Sequence, residues 1–294
     1  MRNALFYGCG TALVTPFQGK RVDFDALESL IDWQIEEGVD ALVILGTTGE
    51  PSTITDAERP AIIECAVARA GRKVPIIVGT GSNDTRTAIR HSVEAQTLGA
   101  DGLLVVTPYY NRASVRGLEQ HYAAIADSVE LPVIMYNVPG RTGVNLPPSS
   151  VAALARHPNL CGVKEASGDI RQLTDLAAAC GEGVAIYCGN DDQVVPAMAL
   201  GARGVISVAA NIIPRQMREL TAAWLQGEPQ KALALQLKYL PLIRALFTEV
   251  NPIPVKAALA RMGLIEETLR LPLAPLDEAK AEALTWELKR FGLV

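Results

Sequence analysis

Short, uninterrupted apolar runs alternate along this chain with longer stretches whose apolar residues recur every three or four positions. The runs cover 10–14, 41–45, 75–79, 103–106, 132–136, 161–164, 185–188 and 204–208. Runs of this length without polar alternation read as strands buried on both faces, the condition of a parallel sheet. Between them, Leu27, Leu30, Ile31 and Ile35, then Ile62, Ile63, Ala66 and Val67, mark the buried stripe of a helix. Gly38, Gly71, Gly99 and Gly181 stand where such helices would stop, each suited to the left-handed position just past a helix end. Strands that alternate with helices require right-handed crossovers, and eight such units predict an α/β fold of the (β/α)8 TIM barrel type. An open doubly wound sheet competes, but it usually carries G-x-G-x-x-G after its first strand. Gly8-Cys9-Gly10-Thr11-Ala12-Leu13 lacks the third glycine.

After residue 208 the pattern changes. The stretch 214–225 reads as the eighth helix, with Pro214 at its start and Gly227 beyond its end. No strand is predicted from 228 onward; helical stretches follow at 229–248, 254–262 and 277–291, the first interrupted by Pro241. The chain therefore divides into a catalytic barrel over 1–226 and a helical C-terminal extension over 227–294. The extension reads equally as an oligomer contact or as a cap on one flank of the barrel.

Composition narrows the function. Of 294 residues, 49% are apolar and 20% charged, enough to bury a sizeable core. The net charge of −5 and the scattered Lys and Arg give no footprint for nucleic acid. No apolar run approaches a membrane span. Met1-Arg2-Asn3-Ala4-Leu5-Phe6-Tyr7 has neither the apolar region nor the cleavage site of a signal peptide, so a cytoplasmic protein is expected. The cysteines at 9, 65, 161, 180 and 188 form no C-x-x-C pair; Cys9, Cys161 and Cys188, in or beside strands, read as small core residues. His91, His121 and His157 show no metal-binding spacing, so they read as surface or helix residues and metal catalysis is disfavoured.

Candidate chemistry gathers where the strands end, which in a barrel is the active face. Leu160-Cys161-Gly162-Val163-Lys164-Glu165 ends on an amine; the run at 41–45 leads into Gly46-Thr47-Thr48-Gly49-Glu50. The run at 103–106 leads into Thr107-Pro108-Tyr109-Tyr110, and that at 132–136 into Tyr136-Asn137-Val138-Pro139-Gly140-Arg141. Alternation along the sixth strand puts Lys164 and Gly162 inward, leaving room beneath the amine, and turns Val163 and Glu165 toward the helices. Glu165 should thus not pair with the amine. Taken alone, Lys164 reads equally as a lysine bridging to an acid at the rim or as a nucleophile. An ordinary lysine is almost wholly protonated at neutral pH, and desolvation toward a pKa of roughly 7–8 would make it reactive. Its companions favour the nucleophile. The Gly46–Glu50 turn suits a carboxylate, with a plain turn capped by threonine as the other reading. Tyr110 and Tyr136 can pass protons through a hydroxyl such as Thr47, although a tyrosine is more often a packing residue. Arg141 offers a bidentate fork to a second carboxylate, or is a surface loop residue.

These motifs, with Thr107-Pro108-Tyr109-Tyr110-Asn111, Tyr136 through Gly143, Gly162 through Gly168 and Gly189-Asn190-Asp191-Asp192, resemble those of the dihydrodipicolinate synthase family over essentially the whole chain. That family belongs to the pyruvate-dependent class I aldolases and lyases. The resemblance implies a barrel in which Lys164 forms a Schiff base with pyruvate and Tyr136 donates and accepts protons. Thr47 would relay to Tyr110, which would reach into a neighbouring subunit's site in a dimer, commonly paired into a tetramer. Thr48 and Ile206 would contact pyruvate, Gly189 would also belong to the substrate site, and Arg141 would hold the carboxylate of aspartate-4-semialdehyde. The product would be 4-hydroxy-tetrahydrodipicolinate, on the route to diaminopimelate and lysine. No cofactor or metal is implied beyond the covalent pyruvate imine on Lys164. N-acetylneuraminate lyase and keto-deoxy-sugar aldolases share the lysine and the tyrosine, and the Pro-Gly-Arg-Thr-Gly loop separates this chain from them. A barrel that only binds a keto acid is the reading from another class, and the intact Thr47, Tyr110, Tyr136 and Lys164 set argues against it. Lysine-sensitive members use an interface pocket with an Asn, a Glu and histidines. Here Asn83 and Tyr109 match, while Asp56 and Arg59 stand at the histidine positions and Thr87 at the Glu position. Lysine inhibition is therefore expected to be weak or absent.

Overall fold

A computed structural model describes residues 4–294; Met1, Arg2 and Asn3, the start of the segment read for a signal peptide, lie outside the described residues. Eight parallel strands close into a barrel: β1 Gly8–Ala12, β2 Ala41–Ile44, β3 Ile76–Gly79, β4 Gly102–Val106, β5 Val133–Asn137, β6 Leu160–Glu165, β7 Ala185–Cys188 and β8 Gly204–Ser207. Each strand pairs with its sequence neighbours, and β1 closes the ring by pairing with both β2 and β8. Every residue of β1, β2, β3, β5, β6, β7 and β8 is buried, which is why the runs show no polar alternation.

The helices outside the barrel are α1 Phe24–Glu36, α2 Glu58–Ala70, α3 Thr85–Thr97, α4 Val115–Asp127, α5 Pro148–Leu154, α6 Ile170–Cys180, α7 Val194–Ala199 and α8 Pro214–Leu225. Asp23, Asp84, Ser114 and Asp169 cap α1, α3, α4 and α6 by accepting a backbone N–H from the first turn. Gly38, Gly71, Gly99 and Gly181 all have positive φ at or just past a helix end. A hairpin of two two-residue strands, Phe17–Gln18 and Arg21–Val22, follows β1; nothing in the sequence reading anticipated it.

Inside the barrel a separate apolar cluster holds Phe6, Val43, Ile77, Leu104, Tyr187 and Ile206 among others. Phe6, just ahead of β1, stacks on Tyr187 with ring centroids 4.4 Å apart, and the Tyr187 hydroxyl donates to the Phe6 carbonyl at 3.0 Å. Gly10 makes this plug possible, since a Cβ there would stand 2.8 Å from the Phe6 ring. The space beneath Lys164, left open in the sequence reading, is filled: a Cβ on Gly162 would meet Tyr187 at 3.3 Å and Ile134 at 3.4 Å.

Three further helices follow, α9 Pro229–Ala245, α10 Ile253–Arg261 and α11 Glu278–Arg290. Pro241 does not interrupt α9, which runs through it as one helix. Proline forfeits one intrahelical bond, and α9 retains its course because Ala232, Gln236, Tyr239, Leu242 and Ile243 are buried on one side. Among the described residues no helix is long and apolar enough to cross a membrane.

Candidate active site

The strand register sets the centre of the site. Tyr136 on β5 pairs with Lys164 on β6, and Lys164 in turn pairs with Tyr187 on β7, so the lysine leaves the barrel wall between two tyrosines in register. A register shift between Val133 and Ile134 makes Cys161 an extra residue, with Leu160 opposite Val133 and Gly162 opposite Ile134. Beyond this bulge the alternation resumes, and Lys164 lies against Tyr136, its Nζ 4.5 Å from the ring centroid. Lys164 and Tyr136 are each 5% exposed. No ion pair to Lys164 is present among the described residues. Glu165 faces the other way, as the alternation requires: its Oε2 accepts from Asn137 Nδ2 at 2.9 Å and its Oε1 from the Ser167 backbone at 2.7 Å.

The turn after β2 forms a second wall. Thr47–Gly49 is a single tight helical turn, closed by Glu50 in the left-handed conformation at φ 53. Thr15 Oγ1 donates to the Gly49 carbonyl at 2.8 Å, and Asn251 Nδ2 donates to Thr48 Oγ1 at 2.9 Å. Glu50 is buried and bonded to Lys256 of α10, Nζ to Oε1 at 2.6 Å. Arg270 adds its backbone N–H to Glu50 Oε2 at 3.3 Å and its guanidinium to Glu58, whose carboxyl this contact pushes down to about 2. Phe17 lies under both cations, 4.1 Å from Lys256 Nζ and 4.2 Å from the Arg270 guanidinium carbon.

Thr47, Arg141, Asn251, Val106 and Val138 line a cavity of about 430 Å³ over the ends of β4 and β5; Val106 pairs with Tyr136 and Val138 follows it by two residues. Arg141 sits in the helical turn Pro139–Thr142 and donates from Nη2 to the Asn251 carbonyl at 3.0 Å. At its far side the cavity reaches Arg59, Thr87 and His91. Burial brings Arg59 down to about 10, and burial with the nearby charges of Arg59 and Arg90 brings His91 down to about 4.

The remaining sequence candidates fall in three places. Ile206 belongs to the inner cluster with Tyr136. Gly189 joins β7 to β6, its N–H donating to the Glu165 carbonyl at 2.7 Å, and a Cβ there would stand 2.5 Å from that of Ala166. Tyr110 is not brought to the cavity: it is 88% exposed, at φ 70, while its neighbour Tyr109 lines the wall. Asn251 and Lys256 were not singled out in the sequence, and neither was Asp191 beyond its place in a motif. Asp191 is buried and accepts from the Val208 and Ala209 N–H groups, both at 2.9 Å, which holds the end of β8 beside the site. Burial pushes its carboxyl up, against the pull of those bonds and of the Lys164 charge. Cys188 is buried and its thiol pushed up to about 12, a poor thiolate. Among the described residues no group of three or more His, Cys, Asp or Glu could hold a metal ion.

A buried amine against a phenol, beside a cavity carrying hydroxyls and a guanidinium, suits imine chemistry on a keto acid. The family model described as the dihydrodipicolinate synthetase family matches residues 5–291. A protein of Alkaliphilus oremlandii named 4-hydroxy-tetrahydrodipicolinate synthase is 49% identical over 290 residues, covering 99% of this chain and 100% of its own. One of the same name from Lachnoclostridium phytofermentans is 50% identical over 293 residues, with coverage of 99% and 100%. Among solved structures, dihydrodipicolinate synthase of Thermotoga maritima superposes with a TM-score of 0.97 at 43% identity, covering 99% and 100% of the two chains. The chloride-inhibited enzyme of Acinetobacter baumannii, solved with pyruvate, gives 0.96 at 46% identity, covering 98% and 99%.

Proposed function

Because the chain belongs to the dihydrodipicolinate synthetase family, we propose that it is a 4-hydroxy-tetrahydrodipicolinate synthase, a lyase that condenses pyruvate with L-aspartate-4-semialdehyde. The observation that carries the mechanism is Lys164: buried, without a carboxylate partner, and packed on the Tyr136 ring. The neutral amine adds to the pyruvate carbonyl, and loss of water leaves a protonated imine. Its positive nitrogen draws electrons from the methyl carbon, a proton leaves, and the enamine attacks the aldehyde carbon of the second substrate. The aldehyde oxygen takes a proton and becomes the hydroxyl. The substrate's own amine then adds to the imine carbon, closes the ring and releases Lys164. Atoms balance with one water lost, and the imine itself is the electron sink, so the step calls for no cofactor.

Tyr136 is placed in this reading as the proton donor and acceptor, with Thr47 relaying to Tyr110. Thr48 and the Gly189 and Ile206 strand ends hold pyruvate, and Arg141 holds the carboxylate of the semialdehyde. Support for the last role comes from its geometry: one nitrogen is tied to the Asn251 carbonyl, and the guanidinium lines the cavity. Tyr110 fits its role only in a homo-oligomer, a tetramer built as a dimer of dimers, where a neighbouring subunit receives it. A tyrosine kept at positive φ and 88% exposed is costly alone, which favours that reading. Intact mass after borohydride treatment with pyruvate tests the mechanism. An adduct on the wild type that is missing from Lys164→Ala is expected; a folded wild type without adduct would remove the imine.

A further inference from the structure

We propose that Asn251, outside the barrel, is a positioning residue that aims the Thr48 hydroxyl proton at the pyruvate carboxylate. The inference rests on the reading of Lys164 and Thr48 given above. Asn251 lies between α9 and α10, is 6% exposed and lines the cavity. It spans two walls of the site at once. Its side-chain Nδ2 donates to Thr48 Oγ1 at 2.9 Å, and its backbone carbonyl accepts from Arg141 Nη2 at 3.0 Å.

The polarity of the first bond matters. A threonine hydroxyl has one proton and two lone pairs. A free hydroxyl rotates, and its proton must be ordered each time it meets an anionic ligand. With an amide N–H filling one lone pair, the proton points away from Asn251 and is available to a carboxylate. Thr48 is 2% exposed, so bulk water does not compete for that proton. Asn251 Oδ1 is meanwhile buried without a partner among the described residues, an expense that the fold alone does not explain. The Thr48 backbone is fixed independently, two residues on, by the bond between Glu50 and Lys256. The Asn251 side chain therefore acts on the hydroxyl, and its backbone acts on Arg141.

This separation gives the test. Initial rates are measured against each substrate in wild type, Asn251→Ala, Asn251→Asp, Thr48→Val and Thr48→Val with Asn251→Ala, with the borohydride adduct recorded at saturating pyruvate. Asn251→Ala should raise the KM for pyruvate by ~5–10-fold, the worth of one hydrogen bond between neutral groups. The KM for the semialdehyde should move less than about 2-fold, because the backbone carbonyl that holds Arg141 remains. Asn251→Asp, close to isosteric, should be at least as impaired as Asn251→Ala, since a carboxylate takes the Thr48 proton for itself. On Thr48→Val, adding Asn251→Ala should change the pyruvate KM by less than about 2-fold. Rescue by aspartate would overturn the proposal, as would equal shifts for both substrates or full additivity with Thr48→Val. Should Asn251→Ala not fold, Asn251→Asp carries the same decision. Adduct on the wild type with no change of pyruvate KM in Asn251→Asp rejects Asn251 alone; no adduct on the wild type rejects the reading of Lys164 and this proposal with it.

Discussion

Two lysines in this molecule are almost completely removed from water, and they have opposite surroundings. Lys256 is 0% exposed, 2.6 Å from Glu50 Oε1 and 4.1 Å over the Phe17 ring. Burial lowers its proton affinity, and the Glu50 charge opposes that loss. Lys164 is 5% exposed and 4.5 Å over the Tyr136 ring, but among the described residues no carboxylate forms an ion pair with it. The ring beneath each is similar; the counter-ion is the difference. A bonded carboxylate favours the charged form of a buried ammonium and occupies its nitrogen, whereas the Lys164 nitrogen is not engaged by an ion pair among the described residues. Burial alone is thus no sign of chemistry.

Exchange of either lysine for methionine breaks the comparison in a different observable. Lys164→Met should abolish turnover, by at least ~10³-fold, and the pyruvate adduct, with the unfolding midpoint nearly unchanged. Lys256→Met leaves Glu50 buried and uncompensated, and should cost about 3–5 kcal/mol in denaturant unfolding. Adding Glu50→Gln should return part of that loss. Were Lys256→Met to lose the adduct at unchanged stability, the distinction between the two lysines would fail.

The sequence revealed one lysine and concealed the other, for a physical reason. Lys164 stands at the end of an apolar run, and a run buried on both faces shows its limits in any single sequence. The same property made all eight strands legible to within a residue or two, and with them the residues at the strand ends. Lys256 and Asn251 reach the site across sequence separations of 206 and 203 residues, from segments that read only as helix and connection. No local pattern encodes such a contact. The bulge at Cys161 was equally silent, because an added residue inside an apolar run alters no periodicity. The hairpin at Phe17 and Arg21 has strands of two residues, too short for any pattern. Pro241 misled because propensity is local, while the packing that keeps α9 whole is not.

His121 sharpens the contrast by supplying a buried base away from the site. It is 5% exposed, its Nδ1 is 2.9 Å from Thr85 Oγ1, and its Nε2 has no hydrogen-bond partner among the described residues. Burial lowers its pKa from 6.5 to about 4, with Asp84 opposing. The folded state thus binds its proton more weakly than the unfolded state. The stabilising contribution is complete above about pH 6.5 and is lost as pH falls through 4. His121→Gln removes the titration and should flatten that part of the stability curve by about 3 kcal/mol, read from unfolding midpoints at pH 7 and pH 4. His91, also near 4, titrates in the same window, so the difference between variant and wild type is the quantity that isolates His121. Turnover at neutral pH should not change.

The smallest expected effect concerns a third lysine, the free amino acid, offered to the same cavity. A cation leaving water needs a carboxylate to offset its lost hydration, as Lys256 has in Glu50. Among the described residues Glu50 is the only acid lining the cavity, and Lys256 holds it. Farther out, Glu94 is 3.5 Å from the buried Arg59, and Asp56 is 3.3 Å from Arg90. Thr87, where lysine-sensitive relatives would present a glutamate, gives its hydroxyl to Asp84 at 2.8 Å. The Arg59 guanidinium at the cavity's far end adds repulsion to this shortage of acceptors. Free lysine at about 1 mM should therefore leave the rate of condensation unchanged within ~20%. Strong inhibition below that concentration would mean that a carboxylate outside this single chain completes the pocket. Repeating the titration on Thr87→Glu then decides whether the missing acid is the cause: restored inhibition follows if the pocket otherwise fits lysine, and its absence assigns the block to Arg59.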